Sequence, residues 1–170
     1  MKLRNPQSYL KFGTTTGASI TVPAVTGKHI FINAIHGAND LNHCTIEMTS
    51  PLSGTLSTTS GSATVTGTST DFVNELYVCA CVKVTDTSEI LYVSSITDAT
   101  HFTATANSSS NEASSAAVLF MFSAEYERGH IDDHFANGHP GYKGVYGKSV
   151  TVNMTDSTSA CSLIVESSLS

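Results

Sequence analysis

The chain has 170 residues, 13% of them charged, and a formal net charge of −6 with eight Lys and Arg in all. Binding along nucleic acid needs clustered cations, so this balance argues against it, and no run approaches the roughly 18 apolar residues of a membrane span. Soluble proteins have about 25% charged residues; here serine and threonine take their place, which suits a surface packed among neighbours, since interfaces are depleted in Lys, Glu and Asp.

Residues 1–17 read as a polar N-terminal arm, with Pro6 and the run Thr14-Thr15-Thr16-Gly17, too poor in apolar residues to fold alone. No apolar signal region follows Met1-Lys2-Leu3-Arg4-Asn5-Pro6, so the chain is expected to be made in the cytoplasm and to stay soluble, its four cysteines meeting a reducing compartment there. Residues 18–25 and 28–35 read as strands joined at Thr26-Gly27, and 44–48 as a third that closes at Ser50-Pro51.

The densest signals follow. Thr64 to Thr66 alternate polar and apolar as a half-buried strand does, and Gly67 supplies the freedom for a tight turn. Phe72 and Leu76, four apart after Asp71, read as one helical turn that drops an aromatic and a leucine into a core as a plug. Residues 78–84 and 90–96 read as strands, and Thr97-Asp98-Ala99-Thr100 as a turn before the chain returns over 101–106. Cys79 and Cys81, two apart on the first of these strands, would point in parallel, a poor geometry for a disulfide; they read as small buried residues rather than redox or metal groups.

This order resembles a small β-barrel module of tailed-bacteriophage virion proteins, among them head-decorating, neck, baseplate and fibre components. The residues that carry the resemblance are Gly61, Val65-Thr66-Gly67, Thr70, Phe72 and Glu75-Leu76, then after two strands Val93, Ile96, Asp98, Thr100 and Phe102-Thr103. The likeness covers residues 54 to about 118, a little over a third of the chain. It departs from the family pattern after Glu75-Leu76, where a Gly–Asp turn is replaced by Tyr77-Val78-Cys79-Ala80-Cys81. The resemblance implies an architectural role and carries over no catalytic residue.

Beyond the module, 108–111 reads as a loop, 116–122 as a central strand buried on both faces, and 149–154 and 160–165 as final strands around a turn at 155–159. Three strands before the module and three after it make one sandwich together and none apart. The expected fold is all-β: a β-sandwich, jelly-roll or immunoglobulin-like, built from 18–53 and 117–170. The barrel at 54–116 is inserted in one loop of it, at the small polar residues Ser53-Gly54 and 108–115. The alternative is two tandem domains with a boundary near 117.

Between the strands near 125 and 149 lies a loop of more than 20 residues, a length that usually marks function or disorder. His130, Asp132, His134 and His139 are candidate ligands for a divalent ion by residue type, but their spacing fits no established zinc signature, and no metal or other cofactor is expected. A contact loop is the preferred reading, with Tyr126, His130, Asp133, His134, Phe135, His139, Tyr142 and Tyr146 as interface residues, because aromatics concentrate at interface cores. A plain solvated loop is the third possibility. Glu125, Glu127, Asp132 and Asp133 would suit paired-carboxylate glycoside cleavage, yet the chain has no Trp to form a sugar platform. No nucleophile elbow, phosphate loop or His–Glu–x–x–His helix is present, so no enzyme activity is expected.

Resemblance and composition together lead to a phage virion protein, made in the host cytoplasm, that binds and stabilises the head lattice, a decoration or cement protein. Its expected partners are the major capsid protein or other virion proteins, with itself as a homo-oligomer, a trimer favoured, and neither nucleic acid nor membrane. The alternatives are a tail, neck or fibre-adaptor component, a carbohydrate-binding module for host attachment, and a β-rich secreted domain.

Overall fold

A computed structural model of the chain describes Gln7–Phe12, 17–39, 44–126, His130–His134, 142–155 and Cys161–Leu169. In chain order these residues form strands β1 (Gln7–Phe12), β2 (Gly17–Val22), β3 (Ile30–Asn39), β4 (Cys44–Pro51), β5 (Thr55–Thr58) and β6 (Thr64–Thr68), then a one-turn helix α1 (Phe72–Glu75). Strands β7 (Cys81–Val84), β8 (Ile90–Asp98), β9 (His101–Ala104), β10 (Glu112–Ser115) and β11 (Ala117–Tyr126) follow. The last are β12 (His130–His134), β13 (Tyr142–Lys143), β14 (Val150–Thr155) and β15 (Cys161–Leu169). The protein is all-β, and its internal contacts divide it into two compact units: Met1–Thr49 with Met121–Ser170, and Ser50–Phe120.

In the first unit, period-two alternation buries Ile20 and Val22 on β2, Ile46 and Met48 on β4, and Val150, Val152 and Met154 on β14. β3, flanked on both edges, is apolar almost throughout: Ile30, Phe31, Ile32, Ala34 and Ile35 are all buried. Apart from Phe31 and Ala34, these side chains and Val165 of β15 form one core between two sheets, each fully buried aliphatic contributing about 1.5–3 kcal/mol. One sheet has the order β1-β15-β3-β12, with β13 also on β3; the other has β11-β4-β14-β2. Counting the eight long strands of this unit along the chain, first pairs with eighth, second with seventh, third with sixth and fourth with fifth. That is one long hairpin rolled into two sheets, the jelly roll. The chain leaves this unit between its fourth and fifth strands, at the tip of the hairpin, and returns after Phe120.

The second unit is a small roll with strand order β10-β5-β6-β9-β8-β7-β11. As a ladder it is an open path, not a closed barrel. The chain itself brings it round: Ala116 alone separates β10, which pairs with β5, from β11, which pairs with β7. β8 bends in the same way, pairing with β7 through Ile90–Tyr92 and with β9 beyond Val93. Phe72 fills the interior at 0% exposure, its ring edge-on to Phe102 at 5.1 Å, and Leu76, Leu56, Val65, Val82 and Leu119 of the same unit are also buried. Several residues of this segment have a physical task here. Gly67 has no room for a side chain, since a Cβ would lie 2.1 Å from Thr70 Oγ1 and 2.9 Å from the Phe72 ring. Asp98 accepts from the Thr100 backbone N–H (2.7 Å) and hydroxyl (2.9 Å), shaping the turn whose Ala99 carbonyl receives the Phe72 N–H (2.9 Å). Glu75, buried, accepts from the Ser53 N–H (3.0 and 3.1 Å) and hydroxyl (2.6 Å), which fixes the chain just before Gly54. Gly54 has φ +65, and a Cβ there would meet the Thr68 carbonyl at 2.1 Å.

Three expectations are corrected. The polar arm at 1–17 contains β1, antiparallel to β15 over six residue pairs, because an edge strand needs backbone partners more than apolar side chains. The long loop after 125 contains two strands, β12 and β13, both on β3, for the same reason. The strand expected over 78–84 starts only at Cys81. Cys79 is an exposed turn residue at φ 70 and Cys81 is half-buried, so the cysteines neither share a strand face nor lie in the core.

Candidate assembly surface

A small roll can bury one face of each strand. On β7, β8 and β11 the inward residues Val82, Val84, Leu91, Val93, Ala117 and Leu119 are buried. The outward positions are also largely apolar. Register sets Cys81 opposite Tyr92, Lys83 opposite Ile90, and Val118 opposite Lys83. Tyr92 is 53% exposed and Ile90 37%. The turn before β7 lies along β8, since Cys79 N–H donates to the Val93 carbonyl (2.8 Å) and Val93 N–H to that of Ala80 (2.9 Å). It adds Tyr77 at 55% exposure and Val78 at 58%, and Val73 on the outer side of α1 adds another apolar residue at 56%.

Lys83 on this face lies with its Nζ 5.2 Å from the centre of the Phe120 ring, a cation–π contact. Burial pushes the Tyr77 phenol up, helped by Cys81 beside it. Burial also pushes the Cys81 thiol up, against a hydrogen bond from Tyr92 and the charge of Lys83. Cys81 thus lies within electrostatic reach of Tyr77, Tyr92 and Lys83. Contiguous exposed apolar residues of this kind mark interaction sites on soluble proteins, and tyrosine is enriched in interface cores.

The residues expected to form the contact loop fall elsewhere, in the first unit. His130, Asp132, Asp133 and His134 stand on β12 opposite Ala38, His36, Ile35 and Ala34 of β3, and Tyr126 ends β11; their side chains lie outside the described residues, as do Phe135 and His139 entirely. Tyr142, opposite Ile32, packs half-buried on the sandwich core. Tyr146 is 51% exposed and stands edge-on to His29 at 5.1 Å, while His29 Nδ1 donates to the Gly144 carbonyl at 2.9 Å. Among the described residues no three His, Cys, Asp or Glu side chains are grouped to hold a metal ion.

Sequence reasoning passed over the face on β7 and β8, although its signal was present: Ile90-Leu91-Tyr92-Val93 is apolar without a break, and a strand of a small roll cannot bury both faces. A second polar group, His101 with Asp98 and Thr100, has the residue types of a catalytic relay without its geometry. Both Asp98 (3.0 Å) and the Thr100 hydroxyl (3.0 Å) meet the same nitrogen, Nδ1. The backbone N–H of Thr100, then His101 and the Thr100 hydroxyl, hold the Asp98 carboxyl down at about 2, as suits a turn-forming anion.

No family model matches the chain, and no curated protein does. Among solved structures the chain is similar to the mavirus penton protein, at 6% identity and a TM-score of 0.33, over 98% of this chain and 100% of that one. It is also similar to VP2 of the infectious bursal disease virus subviral particle, at 10% identity and a TM-score of 0.13, over 97% of this chain and 42% of that one. Both likenesses are too loose to bear on function.

Proposed function

We propose that this chain is a non-enzymatic structural protein of a virion, packed among neighbouring subunits through the apolar outer face of its second unit. More specifically, it decorates a bacteriophage head and stabilises the lattice, with the major capsid protein as its partner. The observation that carries the reading is the exposed group Tyr77, Val78, Ile90 and Tyr92, on the unit whose sequence resembles phage virion modules. A jelly roll with that module at its hairpin tip supports the reading by analogy of architecture, and the low charge of the whole surface agrees with burial among neighbours. Locating a labelled copy in purified particles tests it: hundreds of copies on the head are expected, with a higher melting temperature for decorated capsids than for bare ones. Ile90→Lys with Tyr92→Ser should keep the fold and lose capsid binding. A handful of copies at the tail, or none in the particle, overturns the decoration reading.

A second reading, host attachment through a glycan, draws on Tyr77 and Tyr92, both exposed and both within reach of Cys81, whose rings are of the kind a sugar stacks on. Quenching of tyrosine emission by host oligosaccharides, lost in Tyr92→Ser, distinguishes it.

A further inference from the structure

Charge is segregated along this chain. The second unit holds six carboxylates, Asp71, Glu75, Asp86, Glu89, Asp98 and Glu112, against Lys83 alone, so it carries −5 of the chain's −6. Lys83 is engaged with Phe120 and Glu75 is buried against Ser53, which leaves the unit's exposed charge negative, with Asp86 on an exposed turn. The first unit has a region of opposite sign. Residues 17–35 and 142–154 contain no Asp or Glu, yet they bring together Lys28, Lys143 and Lys148. Backbone hydrogen bonds hold the two segments side by side: Gly147 N–H to the Lys28 carbonyl (2.8 Å), Gly144 N–H to that of Ile30 (2.9 Å), and Lys143 opposite Phe31. Lys28 and Lys143 are exposed, and Tyr146 stands out among them.

We propose that copies of the chain associate head to tail, the lysine-bearing loop pair of one copy seated against the acidic second unit of the next. The partner is a second copy because the chain carries both complementary surfaces, three lysines on two acid-free segments of one unit and a net −5 on the other. Opposed charges fix the register of such a contact and speed its formation, and Tyr146 supplies the aromatic anchor that charge alone lacks. A contact between two different surfaces closes into a ring when the rotation permits, which is how one protein makes a trimer or larger capsomer without a two-fold interface. The inference rests on the reading of the chain as an assembly protein and names the self-contact within it.

Sedimentation of the purified full chain tests the proposal with two double variants, Lys28→Glu/Lys148→Glu and Asp86→Lys/Glu112→Lys, each checked for wild-type circular dichroism. Lys28→Gln/Lys148→Gln replaces the first if that fails to fold. Wild-type self-association should weaken about tenfold or more between low and molar salt, where the screening length shortens from roughly 30 to 3 Å. Each double variant alone should associate about tenfold more weakly, and an equimolar mixture of the two should recover, since the reversed loops of one then meet the reversed unit of the other. A wild type that stays monomeric at low salt, association indifferent to salt and to both variants, or a mixture no stronger than its components overturns the proposal. Variants that enter particles normally while self-association is unchanged overturn this contact alone and leave the virion reading standing.

Discussion

Phe72 is the residue on which the second unit turns. Its ring is fully buried beside Phe102, and Gly67 gives up a side chain to admit it. Phe72→Ala should therefore cost about 3–5 kcal/mol in that unit, the usual range for an emptied aromatic site, read as a lowered denaturation midpoint. Glu89 sets an acid limit on the same unit. Partial burial raises its carboxyl, but the Ser109 N–H and the hydroxyls of Ser110, Ser108 and Ser109 outweigh this and hold it at about 2. An unfolded glutamate titrates near about 4.3. A folded value below the unfolded one means stabilisation that is complete above the unfolded value and is lost as pH falls through about 2. Glu89→Gln should thus melt below wild type at pH 7, and the gap should close on acidification; an equal gap at both pH values would show that the serine clamp acts through shape and not charge. The plug was legible because a buried aromatic in a one-turn helix needs a glycine opposite and a shaped turn beneath, and Gly67 and Asp98 stand at those places. The clamp was not legible, since nothing local ties Glu89 to serines some 20 residues away.

Strands show where sequence patterns end and tertiary pairing begins. β2, β4 and β14 alternate so regularly that their faces can be assigned from the letters alone. β1 and β12 cannot be found that way: QSYLKF and HIDDH lack a clean apolar face, and they become strands because β15 and β3 offer open edges. The consequence is testable. Removing residues 1–12 should destabilise the sandwich by about 3 kcal/mol or more, since the six-residue ladder contributes roughly 0.5–1.5 kcal/mol per hydrogen bond; a dispensable arm would cost nothing. The histidines near β12 make a sharper test of chemistry. Protein purified without chelator should carry no metal by elemental analysis, and an equivalent of zinc lost in His134→Ala would reverse that reading.

At the scale of the molecule, the jelly roll was one of two sandwiches the pattern allowed, and the choice between them depends on which strands pair across the sheets, information that no window of sequence holds. We expect the second unit to be separable from it. Leu52 N–H donates to the Ala117 carbonyl at 3.0 Å, so the points where the chain enters and leaves that unit are adjacent, and a short Gly–Ser linker can replace 54–116 without stretching the hairpin tip. Shortening a flexible loop changes closure entropy by only about 0.6 kcal/mol per halving. The deletion variant should melt cooperatively with β circular dichroism; an unfolded product, with residues 117–170 folding alone, would favour tandem domains. The pairing of β1 with β15 also determines how the protein bears a load. Gln7 lies opposite Ser167 and Phe12 opposite Ser162, so force applied at the two termini peels this pair open one hydrogen bond at a time instead of shearing all of them together. Because the second unit branches from the far tip of the rolled hairpin, tension between the termini reaches it last. Drawn out by its ends in an optical trap, the molecule should yield first at low force as β1 unzips, and the extension of residues 50–120 should come as the final step.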